Sequence, residues 1–247
     1  MSAVSILGIT NLPEIKPGHD LVALLRESEP KIQTGDILVV TQKVVSKAEN
    51  RLFKLVDVVP SARAQEIAQR WHKHPGLVEL VLKESQELLR EENGVLISRS
   101  RQGFVCANAG IDLSNVDGGE TACLLPLDCD ASAKSLSLGL SEKLGFIVPV
   151  IISDSFGRPW RMGITNVALG CFGLEPLLDH RGTLDSHGLE MKATVISVAD
   201  TIAASTELVV GKTNHCGAAI IRGYSYLTAP DSSIRETLRP WSQCFFT

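Results

Sequence analysis

Two short polar segments of the chain carry residue types that could hold a metal ion and phosphate groups. The first, residues 108–115, reads Asn-Ala-Gly-Ile-Asp-Leu-Ser-Asn, so Asp112 lies among amide and hydroxyl side chains. Oxygen-rich clusters of this kind suit Mg²⁺ or Mn²⁺. From the pattern alone, a turn whose side chains bond the local backbone is the more common interpretation. Both interpretations stay open at this point.

The second polar segment, residues 154–161, reads Asp-Ser-Phe-Gly-Arg-Pro-Trp-Arg and is expected to form a loop directly after a buried strand. Asp154 and the Ser155 hydroxyl could hold a metal at the end of that strand. Arg158 and Arg161 could hold a phosphate or a carboxylate, bidentately if the geometry permits. The alternative is a turn with surface arginines, but a glycine-containing polar loop at a strand end is a usual place for a functional site.

Lysines form a third candidate group, because an ammonium group can neutralise a phosphate. Lys43 and Lys47 follow a predicted strand at 36–41, although solvated surface lysines are more common. The Gly-Lys-Thr at 211–213 resembles the end of a P-loop, but Thr206 stands where that motif needs glycine. The chain has no Gly-x-Gly-x-x-Gly motif either. A nucleotide would therefore be bound in another way.

The elements that must position these residues are short and mixed. Hydrophobic periodicity and turn residues predict strands at 36–41, 95–98, 103–107, 147–152, 191–198 and 218–221. They predict helices at 61–71, 75–90, 130–144 with Asp130 as N-cap, and 200–210 before Gly211. The order lacks a regular β-α-β rhythm, so we expect an α+β or mixed α/β fold and not a doubly wound sheet.

Bulk composition excludes several classes of protein. The chain has 247 residues, 44% of them apolar, which is ordinary for a folded globular protein. A net charge of −4 argues against a nucleic-acid binder. The longest apolar run, residues 146–152, is far shorter than the ~20 residues of a membrane span. We found no secretory signal and no Cys-x-x-Cys pair among six cysteines, which predicts a cytoplasmic protein with reduced thiols and no zinc site.

Eight stretches in order resemble one family closely, the coenzyme F420-0:gamma-glutamyl ligases. They are residues 8–13, 35–43, 45–49, 60–64, 103–116, 125–133, 151–161 and 198–200. The resemblance implies a two-lobed α+β fold with mixed sheets, found as an intertwined homodimer. It also implies small-molecule substrates: GTP, L-glutamate and the deazaflavin precursor F420-0. The expected cofactors are Mg²⁺ or Mn²⁺, and often K⁺.

The resemblance also implies roles for single residues. Asp112 and Asp154 fall on metal ligands, and Ser155 falls where a Thr hydroxyl contacts a second metal. Asn115 falls on a nucleotide contact. The other expected GTP contacts are Leu12, Pro13, Glu14, Ile15, Gln42, Lys43, Lys47, and the loop of Val210, Gly211, Lys212 and Thr213 that continues to Gly217.

The sequence departs from the family pattern at two places. Some members carry a Glu, a ligand of the second metal, where Lys212 stands here, and a protonated lysine cannot ligate a cation. Two-metal occupancy is therefore left open, and a phosphate is an alternative partner for Lys212. The Gly-Ile-Thr-Asn at 163–166 also differs from the Gly-Gln-Thr-Asp of related bacterial members, so local metal or substrate contacts are expected to differ.

The predicted reaction makes an amide in two steps. The γ-phosphate of GTP passes to the substrate carboxylate, and the amine of glutamate then attacks the acyl phosphate. Asp112 and Asp154 would hold the metal, while Lys47 with Arg158 or Arg161 would hold phosphates or the anionic substrate. The alternatives are an amide ligase for another carboxylate and a non-catalytic, metal-dependent nucleotide-binding regulator.

Overall fold

The computed structural model describes residues 3–113 and 119–244. Twelve strands are described in this part of the chain: β1 (Ser5–Ile9), β2 (Ile37–Thr41), β3 (Leu52–Lys54), β4 (Ser85–Glu92), β5 (Val95–Ser100), β6 (Val105–Ala107), β7 (Thr121–Cys123), β8 (Val150–Arg158), β9 (Arg161–Phe172), β10 (Leu177–Asp179), β11 (Val195–Ser197) and β12 (Ala218–Arg222). The α-helices are α1 (Leu21–Arg26), α2 (Gln42–Ala48), α3 (Ala62–Trp71), α4 (Pro75–Glu84), α5 (Cys129–Leu144) and α6 (Val198–Val210).

A five-stranded mixed sheet forms the centre of the molecule, in the order β1-β12-β2-β8-β9. The β2–β8 pair is parallel and the other pairs are antiparallel. Both faces are buried: Leu38 and Val40 pack with α1, α2 and α5, while Ile37 and Val39 pack with α6. A strand buried on both faces reads as a continuous apolar run, which is why the segment at 36–41 is recognisable in the sequence.

A second hydrophobic core lies among α3, α4, β5 and the residues around β7. It is accompanied by the three-stranded sheet β4-β5-β6 and by the two-stranded sheet β3-β7. Helices and mostly antiparallel strands thus occur together without repeated βαβ units. The predicted α+β class is confirmed.

The predicted helix at 75–90 is only half correct. Helix α4 ends at Glu84, and the next eight residues form β4, which pairs with β5. Asn93 and Gly94 connect the two strands with φ values of 51° and 75°. Two successive residues with positive φ are what a tight hairpin turn requires, and Asn-Gly is its preferred sequence. The hairpin therefore overrides the helical spacing of the leucines.

The polar segment at 154–161 is not a loop, contrary to expectation. The strand predicted at 147–152 begins at Val150 and continues as β8 to Arg158, and β9 returns from Arg161. Of the segment predicted as a strand at 191–198, only Val195–Ser197 forms a strand, β11. It ends there because α6 begins at Val198. Strand β1 and the short helices α1 and α2 were not predicted, since five to seven residues give little periodicity.

No α-helix in the described ranges is long and apolar enough to span a bilayer. All six cysteines are free, and five of them are buried. Burial raises the pKa of the Cys106 thiol to about 12, which makes it a poor nucleophile and a poor metal ligand.

The N-cap of α5 is Asp128, not Asp130 as predicted. The Asp128 side chain accepts a hydrogen bond from the Ala131 amide at 3.0 Å. Asp130 instead ties three chain segments together. Its carboxylate accepts from the amides of Cys171 (2.9 Å) and Ile234 (3.1 Å), and from the Ser233 hydroxyl (2.6 Å).

We expect Asp130→Ala to destabilise the protein more than Asp128→Ala. The first change leaves partly buried donors without an acceptor, at a cost of roughly 2–4 kcal/mol. The second removes one helix cap, which costs about 1 kcal/mol. Urea unfolding of both variants measures the difference. An Asp128→Ala variant that is the less stable of the two would contradict this account of Asp130.

Candidate active site

A cavity of about 790 Å³ opens at the end of the central sheet where β2 passes into α2. Most of the residues expected to bind nucleotide or metal line it: Leu12, Pro13, Glu14, Ile15, Lys43, Lys47, Asp112, Asp154, Ser155, Val210, Gly211, Lys212 and Thr213. These residues come from five separate parts of the sequence. The fold therefore brings together segments that the sequence could only suggest one at a time.

Sheet register explains how the cavity is built. Thr41, the last residue of β2, pairs with Ser153 in the parallel ladder, so α2 begins beside Asp154. The Thr41 amide and hydroxyl both donate to the carbonyl of Gly217, each at 3.0 Å. A Cβ at position 217 would lie 2.7 Å from Cγ2 of Val44. Glycine therefore lets the 210–217 loop close against α2.

Asp112 reaches the cavity from a different direction. It forms an isolated antiparallel bridge with Cys123, with backbone hydrogen bonds of 3.0 and 2.8 Å. Its carboxylate forms an ion pair with the Lys43 ammonium at 2.7 Å. The sequence placed both residues at strand ends, but only the fold shows that they face each other.

Two more lysines supply positive charge to the cavity. Lys47 is 8% exposed and pairs with Glu14 at 2.5 Å, whereas the Glu14 side chain is 74% exposed. The Lys212 ammonium donates a short hydrogen bond to the Ser155 hydroxyl. The cavity is thus lined by three lysines and by four acidic residues, Glu14, Asp112, Asp154 and Glu207.

Burial raises the pKa of the Asp154 carboxyl to about 6. This value already includes a smaller rise from the negative charge of Asp112 and the lowering effects of a backbone hydrogen bond at Ser155 and of the charges of Lys212 and Lys43. A carboxylate whose charge is costly is stabilised by any cation that binds beside it. The like charges of the two aspartates thus favour a bound cation between or beside them.

The donor set of the cavity fits a hard divalent cation. Carboxylate and hydroxyl oxygens are the ligands that Mg²⁺ takes from proteins, usually one or two carboxylates with substrate phosphates and water completing the shell. Within residues 3–113 and 119–244, no cluster of three or more His, Cys, Asp or Glu is placed to hold a metal. Two carboxylates in an open cavity match a site completed by substrate and water and not a closed protein cage.

Three predicted residues lie elsewhere. Arg158 and Arg161 are at the exposed tip of the β8–β9 hairpin, where Arg158 donates to the Met162 carbonyl at 3.1 Å. Gln42 is buried and donates to Ser46 Oγ at 2.6 Å and to the carbonyl of Leu124 at 3.1 Å. It holds α2 in place and does not line the cavity.

Asn115 lies outside the described residues, as does Ser114. The anion-holding role of the two arginines and the nucleotide contact of Asn115 stay predictions.

The cavity also contains residues to which the sequence analysis gave no individual role, among them Ser153, Asn166 and Glu207. Glu207 offered a usable signal. It follows Ala203 by four residues and precedes Val210 by three, so it lies along the buried stripe of α6. A charged residue on an apolar helical stripe indicates a function or a buried partner. Asn166 ends the 163–166 segment that departs from the family pattern, and its pairing with Ser155 across β8 and β9 places it at the cavity.

Comparison with known proteins identifies the class to which this fold and site belong. The sequence model of the F420-0:gamma-glutamyl ligase family matches residues 9–223. A protein of Methanothermobacter thermautotrophicus, named coenzyme F420:L-glutamate ligase, is 41% identical over 243 residues, covering 96% of both chains. Proteins of the same name are 39% identical in Methanopyrus kandleri (90% of this chain, 88% of the relative) and 40% identical in Archaeoglobus fulgidus (96% and 93%).

The protein is a ligase. More particularly, the chain belongs to the F420-0:gamma-glutamyl ligase family, as its sequence stretches indicated.

Proposed function

We propose that the protein is a GTP- and metal-dependent ligase that adds L-glutamate to F420-0, releasing GDP and phosphate. The observation that carries this proposal is the cavity in which Asp112 and Asp154 face three lysines. The names of the relatives support the substrate pair. The three lysines of the cavity support the phosphate donor, because all three reactants are anionic.

The proposed chemistry solves a leaving-group problem. A carboxylate does not react directly with an amine in water because hydroxide leaves poorly. Transfer of the γ-phosphate to the F420-0 carboxylate gives an acyl phosphate, whose phosphate group leaves readily when the glutamate amine attacks. In this scheme Lys43 and Lys47 exchange their present carboxylate partners for phosphate oxygens.

A divalent cation would complete the site. Asp112 and Asp154 would hold it, whereas the Ser155 hydroxyl, which accepts from Lys212, would contact a second cation only if Lys212 moved away. When bound, Mg²⁺ or Mn²⁺ neutralises negative charge on the phosphate oxygens. K⁺ is included in the proposal as an additional activating cation. This scheme does not require Arg158 or Arg161 of the same chain to hold an anion.

We expect Asp112→Asn to lower ligase turnover by about 1,000-fold, because a tenfold loss corresponds to about 1.4 kcal/mol and a metal ligand supplies several kcal/mol. The fold should persist, since a partly exposed ion pair with Lys43 contributes at most about 1 kcal/mol. Mass spectrometry of the glutamylated product measures turnover, and Asp185→Asn at an exposed turn is the control. Normal turnover in Asp112→Asn, or product from a different acid only, would contradict the proposal.

Because Lys212 lies at the position of a second metal ligand, we expect only one divalent cation to bind to each chain. Its ammonium group already donates a hydrogen bond to the Ser155 hydroxyl. It also lowers the pKa of Asp154, as a second cation would. Titration with Mn²⁺ in the presence of GDP should give one ion per chain in the wild type. Lys212→Glu replaces the ammonium with a carboxylate ligand and should bind a second ion. Two ions in the wild-type protein would show that Lys212 moves aside.

We also propose that the protein is a cytoplasmic homodimer whose contact includes the tip of the β8–β9 hairpin. Trp160 and Met162 are 81% and 97% exposed there, and Ile164 is 52% exposed. Exposed apolar side chains gathered on one projecting element are typical of an interface. Buried, unpaired cysteines are consistent with a reducing compartment.

The matched variants Met162→Asp and Leu208→Asp test this interface. Both replace a highly exposed apolar side chain, but Leu208 lies on α6 and not in the β8–β9 hairpin. Light scattering after gel filtration should give the mass of a dimer for the wild type and Leu208→Asp, and a smaller mass for Met162→Asp. A dimer that survives Met162→Asp would rule out the hairpin tip as its contact.

A further inference from the structure

One wall of the cavity contains polar atoms that lack a partner. We call it the polar floor and define it as Ser153, Asn166 and Glu207. Ser153 is 1% exposed, and its hydroxyl has no hydrogen-bond partner within the described parts of the chain. One carboxylate oxygen of Glu207, Oε2, is likewise buried and unpaired there. Both residues line the cavity, so a ligand that enters it lies next to these side chains.

Asn166 connects the other two residues of the polar floor. It is 4% exposed, and it pairs with Ser155 in the β8–β9 ladder, diagonally across from Ser153. Its amide makes a contact of 3.5 Å with the hydroxyl of Thr206, the residue before Glu207. That hydroxyl donates to the Ala203 carbonyl at 2.7 Å, so α6 is held against β9 at this point.

Unpaired buried acceptors are energetically costly, and this cost indicates which kind of ligand the polar floor could bind. Leaving such a group without a partner costs about 1–3 kcal/mol, and more when it is charged. Proteins keep unpaired polar groups where a ligand satisfies them. A carboxylate oxygen with a hydroxyl and a carboxamide beside it offers acceptors and one negative charge. The matching ligand is a small cation with several N–H donors.

We propose that the polar floor binds the α-ammonium group of the incoming amino acid, with Glu207 as its counter-ion. An ammonium group has three N–H donors, and Glu207 Oε2, Ser153 Oγ and the Asn166 carbonyl oxygen provide three acceptors. This inference rests on the proposed ligase function and assigns the site of its second substrate. In this proposal the lysines of the cavity bind the phosphates, and the polar floor binds the amine that acts as nucleophile.

The same carboxylate can take a proton when the amide forms. An ammonium nitrogen has no lone pair, so it first gives one proton to Glu207. The freed lone pair forms the C–N bond with the acyl carbon, and the C–O bond to phosphate breaks with its electron pair on the leaving phosphate. The second N–H proton goes to that phosphate, and Glu207 later releases its own proton to water.

Glu207→Gln tests this assignment with little change in shape. It removes the negative charge, so we expect the KM for L-glutamate to rise about 10- to 100-fold, the effect of one charge-assisted hydrogen bond. The KM for GTP should change less than about threefold, within the scatter of unrelated sites. Ser153→Ala removes a hydroxyl that bonds nothing described, so it should fold normally and raise the KM for L-glutamate about 3- to 10-fold. Glu142→Gln, the same change at an exposed position, is the control.

Hydroxylamine separates this inference from the proposed function, because it is largely unprotonated at neutral pH and traps acyl phosphates as hydroxamates. In Glu207→Gln the ratio of hydroxamate to glutamylated product should rise at least about tenfold over the wild type. An unchanged ratio and an unchanged KM for L-glutamate overturn the inference while leaving the ligase function intact. An altered K⁺ activation constant with an unchanged KM for L-glutamate overturns it too, because the floor would then hold a metal cation. Absence of product and hydroxamate with the wild type overturns both.

Discussion

The parallel pairing of β2 with β8 is the constraint on which the site depends. It sets Thr41 opposite Ser153, so the chain that leaves β2 enters α2 directly beside Asp154. Lys43 and Lys47 reach the cavity from that helix, and Ser153 and Ser155 reach it from β8. The register is fixed because both faces of the sheet are buried, and a slip of one residue would exchange the two apolar faces. The hydrophobic cores thus determine which polar groups meet.

Ion pairs in this protein differ in how easily they can be exchanged. Arg51 and Glu84 pair at 2.8 Å with side chains only 12% and 11% exposed, and Arg51 also donates to the Leu125 carbonyl. Removing one partner there would leave a buried charge, so the pair has a structural role. The Lys47–Glu14 pair is different, because Glu14 is mostly solvated and stabilises the contact little. A phosphate can replace such a partner at small cost, whereas it could not replace Glu84.

Sequence reasoning succeeded where one local rule sufficed. Fully buried strands such as β2 and β12 are visible as apolar runs, and α3 begins just after Ser61, whose side chain caps it. It failed where two rules competed, as at residues 85–92, where leucines with helical spacing end in an Asn-Gly hairpin. It also chose the wrong aspartate at the start of α5, because Asp128 and Asp130 are both acceptable caps by type.

The candidate site shows the same division. Asp112 and Asp154 stand in distinctive local sequences, so they were named before their neighbours were known. Glu207 and Asn166 have weaker local signals, and only the packing of α6 on β9 shows that they lie together at the cavity. Tertiary juxtaposition of this kind has no local signature, which is why the polar floor had to be read from the structure.

Two of the energetic costs of the site fall on one strand. Asp154 carries a raised pKa, and Ser153 has an unpaired hydroxyl, both on β8. This strand is also held by β2 on one side and β9 on the other, with Ile151 and Ile152 completely buried. Burying one such side chain contributes about 1.5–3 kcal/mol, comparable to the cost of one unpaired polar group. Burial of the apolar residues of β8 therefore offsets the cost of its unpaired polar groups. The site can keep its shape without a ligand because the apolar contacts of the same strand hold the strand in place.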